Sequence, residues 1–320
     1  MERKMTIKMT NLKDEKGNPI KLNQPAFLVG NGINKADKIN LSWEDLLGKL
    51  LPESSDLTVE NLKGLTYPEI AEIALLKQGK DKFEEKFKEE MDKIEADAKE
   101  SELKNHKKLL EFAKQKHIPI LTTNLEKIFL TSDASLEMKW HQQGEKNVYN
   151  RKYLKNLCFC DKNFDGNNIH STFALWYIHG LYYTKSFDKS FSLTNWDYAN
   201  NIAMMKKVLS ERQKNNRTGN SSWADIFLDN DLIILGLGLD SAEIDLRAFL
   251  VEKYIQQQID EKIAKEKHEK FEARKVIYIY RKGYESEDMP DSKKAFFEAL
   301  GIKCVEMPQD EIYVIDKYLK

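Results

Sequence analysis

The stretch Phe27-Leu28-Val29-Gly30-Asn31-Gly32-Ile33-Asn34 constrains this chain more than any other. A short apolar run stops at two glycines one residue apart. That pattern suits a buried strand entering a tight turn. Glycine has no Cβ, so it takes φ > 0 and lets another group approach the backbone closely. Successive backbone N–H groups can then face an anion such as a phosphate. The full dinucleotide fingerprint needs a third glycine and an acidic residue about 20 positions on. Only Gly-x-Gly is present, so a phosphate cradle and an ordinary glycine turn both remain open at this point.

Further apolar runs ending in polar residues follow the first. Ile118 to Thr123 predicts a buried strand that runs into Asn124-Leu125-Glu126. Trp176-Tyr177-Ile178 is a shorter run ending at His179-Gly180. Leu232 to Leu235 is the strongest buried strand and ends at Gly236-Leu237-Gly238-Leu239-Asp240. Lys275–Tyr280 and Ile302–Glu306 predict two more strands around a helix over 293–300. Strands alternating with helices argue an α/β fold, a Rossmann-like parallel sheet. Polar residues at the carboxyl ends of such strands lie where these sheets bind ligands. A lone histidine in that position serves more often in structure than in catalysis, and both uses of His179 stay open.

Between the first two strands the pattern changes. Residues 42–116 carry apolar residues at three- and four-residue spacing, including Phe83, Phe87, Met91 and Ile94, with Lys and Glu between them. This predicts a helical insertion too long for a plain crossover, its charges forming a solvated face. Residues 1–24 read as a polar lead-in or edge strand, and 131–170 as irregular. Asp240 is placed as the cap of the next helix, with Glu243 at its third position. The buried face of that helix is predicted to run through Leu246, Phe249, Leu250, Tyr254, Ile255, Ile259 and Ile263. Lys214 to Asn220 forms a cluster of breakers, a mobile loop over approximately 214–222. The whole chain, 1–320, reads as one domain.

Composition narrows the class. The 51 basic and 52 acidic residues leave a net charge of -1, which gives no global attraction to nucleic acid. Three cysteines, two of them Cys158 and Cys160, supply neither a disulfide framework nor paired zinc ligands, so no metal is expected. No run reaches the roughly 18 apolar residues of a membrane span. A cytoplasmic protein with reduced cysteines is expected.

Taken together, the four strand-end segments resemble the sirtuin-like NAD-consuming domains of bacterial proteins, many of them implicated in defence against phage. The resemblance covers roughly 25–310. Gly30-Asn31-Gly32-Ile33-Asn34 followed by Trp43-Glu44-Asp45-Leu46-Leu47 is similar to that family's opening glycine loop. Thr122-Thr123-Asn124-Leu125-Glu126 is similar to its Thr-Thr-Asn-Tyr-Asp-type segment, and Ile178-His179-Gly180 to its His-Gly. Gly236–Asp240 is similar to its loop near the adenosine half. The resemblance implies an NAD glycohydrolase that releases nicotinamide and ADP-ribose or cyclic ADP-ribose. It implies Asn124 and His179 as the catalytic pair. It implies NAD contacts from Gly30, Asn31, Gly32, Ile33, Thr122, Thr123, Glu126, Gly236, Gly238, Leu239 and Asp240. An uncontrolled enzyme of this kind would harm its host, so a homo-oligomer or a separately encoded activator is expected to regulate it.

The chain also departs from the family pattern. The two Cys-x-x-Cys pairs of protein-deacylating sirtuins are missing, as is their Gly-Ile-Pro-Asp-Phe-Arg stretch. Glu126 stands where the family carries aspartate, which keeps the charge and lengthens the reach. A catalytically silent nucleotide-binding protein and an NAD-dependent deacylase are the alternatives.

Overall fold

A computed structural model describes residues 6–13, 17–39, 42–52, 57–140, 157–160, 173–182, 191–215, 222–240, 243–281, 289–308 and 311–320. Its centre is the apolar run read first. Pro25–Val29 forms β3, buried along its whole length. Parallel neighbours flank it: β4 (Ile120–Thr122) on one side and β8 (Asp231–Leu235) on the other. A strand covered on both faces must be apolar throughout, which is why these segments carry no alternation. Beyond β4 lies β7 (Leu175–Tyr177), and beyond β8 lie β9 (Val276–Arg281) and β10 (Lys303–Met307), all parallel. Reading these six from β7 gives the chain order 3-2-1-4-5-6, the doubly wound Rossmann-like order. The chain reverses its direction of travel across the sheet between β3 and β8. The two glycine loops leave the sheet there, side by side.

Two antiparallel strands, β5 (Glu137–Trp140) and β6 (Leu157–Cys160), extend the sheet past β7. They lie in the segment expected to be irregular. Each is only four residues long, too short for a period to stand out, and β5 is the edge of the sheet. The N-terminal lead-in is not an edge of this sheet. β1 (Thr6–Lys13) and β2 (Pro19–Asn23) form a separate antiparallel hairpin. Lys8 and Lys320 exchange backbone hydrogen bonds of 2.8 and 2.9 Å, which joins the hairpin to the final residues. Ile7, Met9, Ile20 and Leu22 then bury with Ile312, Tyr313, Ile315 and Leu319 against one face of the sheet.

The helical insertion is as expected. It comprises α2 (Trp43–Leu50), α3 (Tyr67–Gln78), α4 (Lys80–Glu100) and α5 (Lys104–Gln115), which follow the short α1 (Gly32–Ala36). Leu46, Leu47, Leu50, Phe83, Phe87, Met91 and Ile94 form its own core, which also takes in Leu125 and Tyr182 from the strand-end loops. The insertion therefore packs against the ligand edge of the sheet. α6 (Ile128–Ser132), α7 (Asn195–Asn215), α8 (Trp223–Asp229), α9 (Ile244–Glu266) and α10 (Asp291–Ala299) complete the layers. Residues 214 and 215 end α7, and Ser222 is buried as the cap of α8, with its hydroxyl 3.0 Å from Asp225. The rest of the predicted loop, 216–221, lies outside the described residues.

α9 corrects two expectations. It begins at Ile244 with Glu243 as its cap residue, so Asp240 does not cap it. Its buried side chains are Asp245, Leu246, Phe249, Leu250, Lys253 and Ala264, while Ile255, Ile259 and Ile263 are about two-fifths exposed. At 100° per residue those isoleucines lie on the face roughly opposite Leu246 and Leu250. The helix carries two apolar stripes, and only one meets the sheet.

Candidate functional site

Every predicted site segment leaves the same edge of the sheet, the carboxyl ends of its parallel strands. Val29 and Thr122 are paired in register, as are Thr122 with Tyr177 and Val29 with Leu235. Asn124 and His179 therefore each stand two residues beyond paired positions on adjacent strands. The Thr122 hydroxyl donates to Val29 O (3.0 Å) and accepts from Asn124 N (3.1 Å). Thr122 thus shapes the turn that presents Asn124. Ile178 N donates to Thr122 O (2.9 Å), which ties the histidine turn to the same place. Gly180 follows at φ 83°, a left-handed conformation that glycine adopts without cost.

His179 is buried, and its Nε2 lies 3.0 Å from Asp245 Oδ2. Asp245 is fully buried at the start of α9. Its Oδ2 also accepts from Asn201 Nδ2 (2.9 Å), and its Oδ1 from Leu246 N (2.8 Å). With those donors on the carboxylate, the third contact requires that Nε2 carry the proton. Nδ1 is then the basic nitrogen of the neutral ring, and among the described residues it makes no hydrogen bond. The Tyr198 ring packs 5.0 Å from the imidazole. Burial, then Asp245, hold the Tyr198 hydroxyl far above its usual range, so it stays neutral. Asp245, Asn201 and Tyr198 were not among the predicted site residues. Asp245 sits where the local pattern reads as a helix start, and nothing in its spacing announces a partner 66 residues away.

Glu243 lies two residues before Asp245. The residue is half-buried overall, but its Oε2 is buried with no hydrogen-bond partner among the described residues. Burial, then Asp240, push its carboxyl up to about 7, against the pull of His179.

A second polar cluster lies beside the glycine loop. Asn34 Nδ2 donates to Asn31 Oδ1 (2.8 Å) and to Glu126 Oε1 (2.9 Å), so it joins the first loop to the second. Glu126 is buried, and burial raises its carboxyl against the opposing Asn34 hydrogen bond. Asn124 lies close enough to favour the ionised form of Glu126, while its buried Nδ2 has no hydrogen-bond partner of ordinary geometry among the described residues. Behind this group, His106 Nδ1 lies 2.6 Å from Asp37 Oδ2, and Asp37 also accepts the Asn105 and His106 backbone amides that open α5.

The glycines themselves have a different reason from the one read in the sequence. A Cβ on Gly32 would stand 2.6 Å from Gly236 Cα, and one on Gly30 would stand 2.7 Å from Gly236 O. Gly32 N donates to Gly236 O (2.7 Å), and Gly30 N to Leu235 O (3.0 Å). The close approach is between two protein backbones. Gly236, at φ 59°, is backed by the Tyr313 hydroxyl. The side chains of Ile33 and Leu239 are fully buried in the core on opposite faces of the sheet, so any ligand contact from these residues is through backbone. Asp240 is largely exposed and pairs with Lys293.

No protein-family model matches the chain, and no curated protein matches it. The site is therefore read from its own geometry, which is that of a nucleotide-binding-type Rossmann fold. The carboxyl edge of the sheet carries two glycine loops at the switch point and, after the next two strands, a buried amide and a buried histidine held by an acid. Among the described residues no group of His, Cys, Asp and Glu is placed to hold a metal ion. No described helix is long and apolar enough to cross a membrane.

Proposed function

We propose that this protein is an NAD glycohydrolase that uses Asn124 and His179. One observation carries the reading. His179 is fixed by Asp245 through Nε2, with Nδ1 unspent, on the strand adjacent to Asn124 and at the edge where Rossmann-like sheets bind nucleotides. In the reaction, the bond between ribose C1′ and the nicotinamide nitrogen breaks. The pair of electrons leaves with nicotinamide, which becomes neutral. Water oxygen bonds to C1′, and its proton passes to His179 Nδ1, with Asp245 stabilising the imidazolium that forms. Asn124 has a buried amide donor to orient the water or a ribose hydroxyl. If an adenine nitrogen captures C1′ instead, the product is cyclic ADP-ribose. The likeness of the four segments to defence-associated domains supports a role against phage, with activity held down until a trigger arrives.

The test is chromatography of NAD incubated with the purified protein across a range of concentrations. Nicotinamide should accumulate. Asp245→Asn and His179→Ala should each slow its release by about 10²-fold or more, with folding unchanged by circular dichroism. Full activity in both variants would overturn the assignment. A silent nucleotide sensor is the second reading. It is favoured by the short α1 and by the Gly32 amide, already bonded to Gly236, which leave a meagre phosphate cradle. Binding of ADP-ribose with no NAD turnover at any concentration would select it.

A further inference from the structure

We propose that Glu243 is a positioning residue that acts through His179: its charge sets how well the histidine accepts a proton. The inference rests on the glycohydrolase reading of that histidine and deepens it. Three acids lie between the surface and the imidazole. Asp240 is outermost and pairs with Lys293 of α10 (3.1 Å). Asp245 is innermost, with His179, Asn201 and the Leu246 amide on its two oxygens. Glu243 stands between them in the chain as the cap residue of α9, and its backbone amide donates to Asp240 O (3.1 Å). A Cβ on Gly238 would stand 2.9 Å from Asp240 Oδ2 and 3.8 Å from Glu243 Oε2, so the two carboxyls lie against the same side of that glycine. Of the three acids, only Glu243 has a buried oxygen without a hydrogen-bond partner among the described residues.

The charged and titratable groups that act on this carboxyl come from several elements. The loop 236–240 brings Asp240, with Lys293 of α10 beside it. The turn after β7 brings His179, α7 brings the Tyr198 hydroxyl, and α9 itself brings Asp245. Tyr198 stays protonated, so it contributes no charge. Asp240 and Asp245 oppose ionisation of Glu243, whereas His179 favours it. Such coupling is reciprocal, so an ionised Glu243 favours the protonated imidazole by the same amount. When water oxygen bonds to C1′ and its proton passes to Nδ1, the imidazolium forms beside two carboxylates or beside Asp245 alone, according to the state of Glu243. The second charge appears around pH 7, where burial and then Asp240 have moved the Glu243 carboxyl. Glu243 loses its proton to solvent, and the step requires no further reactant.

The test compares kcat/KM for NAD between the wild type and Glu243→Gln from pH 5.5 to 8.5, since this parameter follows ionisations of the free enzyme. At pH 5.5 the two should agree within about twofold, because glutamine imitates the protonated acid. At pH 8.5 the wild type should lead by about tenfold, with the ratio climbing around pH 7. Titrations common to both proteins cancel in that ratio. A role in folding alone would instead lower the variant by one factor at every pH. Asp240→Asn withdraws the charge that most opposes ionisation of Glu243, so the rise in its rate should come at lower pH than in the wild type. That profile serves as the check if Glu243→Gln does not fold. A constant ratio, or an Asp240→Asn profile that stays in place, would overturn the inference and leave the glycohydrolase reading standing. No NAD cleavage by the wild type at any pH would overturn both.

Discussion

Asp245 shows how much one buried carboxylate can settle. Four groups converge on it or on its partner: His179, Asn201, the Leu246 amide and the Tyr198 ring. Together they fix a tautomer, an orientation and a counter-charge. Glu243, its close neighbour, differs: its buried Oε2 has no hydrogen-bond partner among the described residues. Its carboxyl titrates near 7 in the folded protein instead of 4.5, because burial penalises the charged form. Between those two values the folded state binds more protons than the unfolded chain, so stability must fall as pH rises from about 4.5 to 7. The loss is about 3 kcal/mol at most. Glu243→Gln should flatten that slope and leave the variant more stable than the wild type at pH 8. Urea unfolding at pH 5, 6, 7 and 8 checks this, and an unchanged slope would place the carboxyl in water.

At the scale of elements, the two glycine loops at the switch point touch through their backbones. Gly32→Ala would force a methyl group onto Gly236 and should cost about 1–3 kcal/mol with no nucleotide present. Denaturant midpoints of the unliganded protein measure it. A variant as stable as the wild type, but defective in ligand binding, would restore the phosphate-facing role of that glycine. This contrast marks where sequence reading works and where it stops. The places of the parallel strands along the chain follow from apolar runs such as Phe27–Val29 and Leu232–Leu235, because burial on both faces writes itself into the residue types. The capping of α3 by Thr66 and Glu69, and of α7's first turn by Thr194 and Asp197, is equally local and equally readable. The strands β5 and β6 escaped because four residues each are too few for a periodicity to show. The exposed stripe of α9 misled because periodicity reports a face and never what covers it. His179 could be singled out from its strand end, but Asp245 could not, since their meeting depends on the path of 65 intervening residues.

In the whole molecule, the predicted site segments leave one edge of the sheet and the other layers pack around it. α2 to α4 cover the carboxyl edge of the sheet from the insertion, while α5 and the hairpin β1–β2 with residues 311–320 seal one sheet face. Tyr318 is central to that seal, fully buried, with its hydroxyl donating to Ile312 O (2.5 Å). Tyr318→Ala should cost about 3–5 kcal/mol by analogy with other large aromatic truncations. Its thermal melt should show whether the loss stays in the seal or reaches the site: NAD cleavage that survives at low temperature would confine it to the seal. The reciprocal bonds between Lys8 and Lys320 carry one more consequence, and it concerns time. During synthesis the strand at residues 6–13 waits some 300 residues for Ile312 to Lys320 to appear before it has these partners. Until then the apolar side chains of Ile7, Met9, Ile20 and Leu22 lack the surface they will share with Ile312 and Leu319. A ribosome-bound chain halted near residue 305 should therefore be cut by protease within its first 24 residues, and one extended past 320 by a linker should resist.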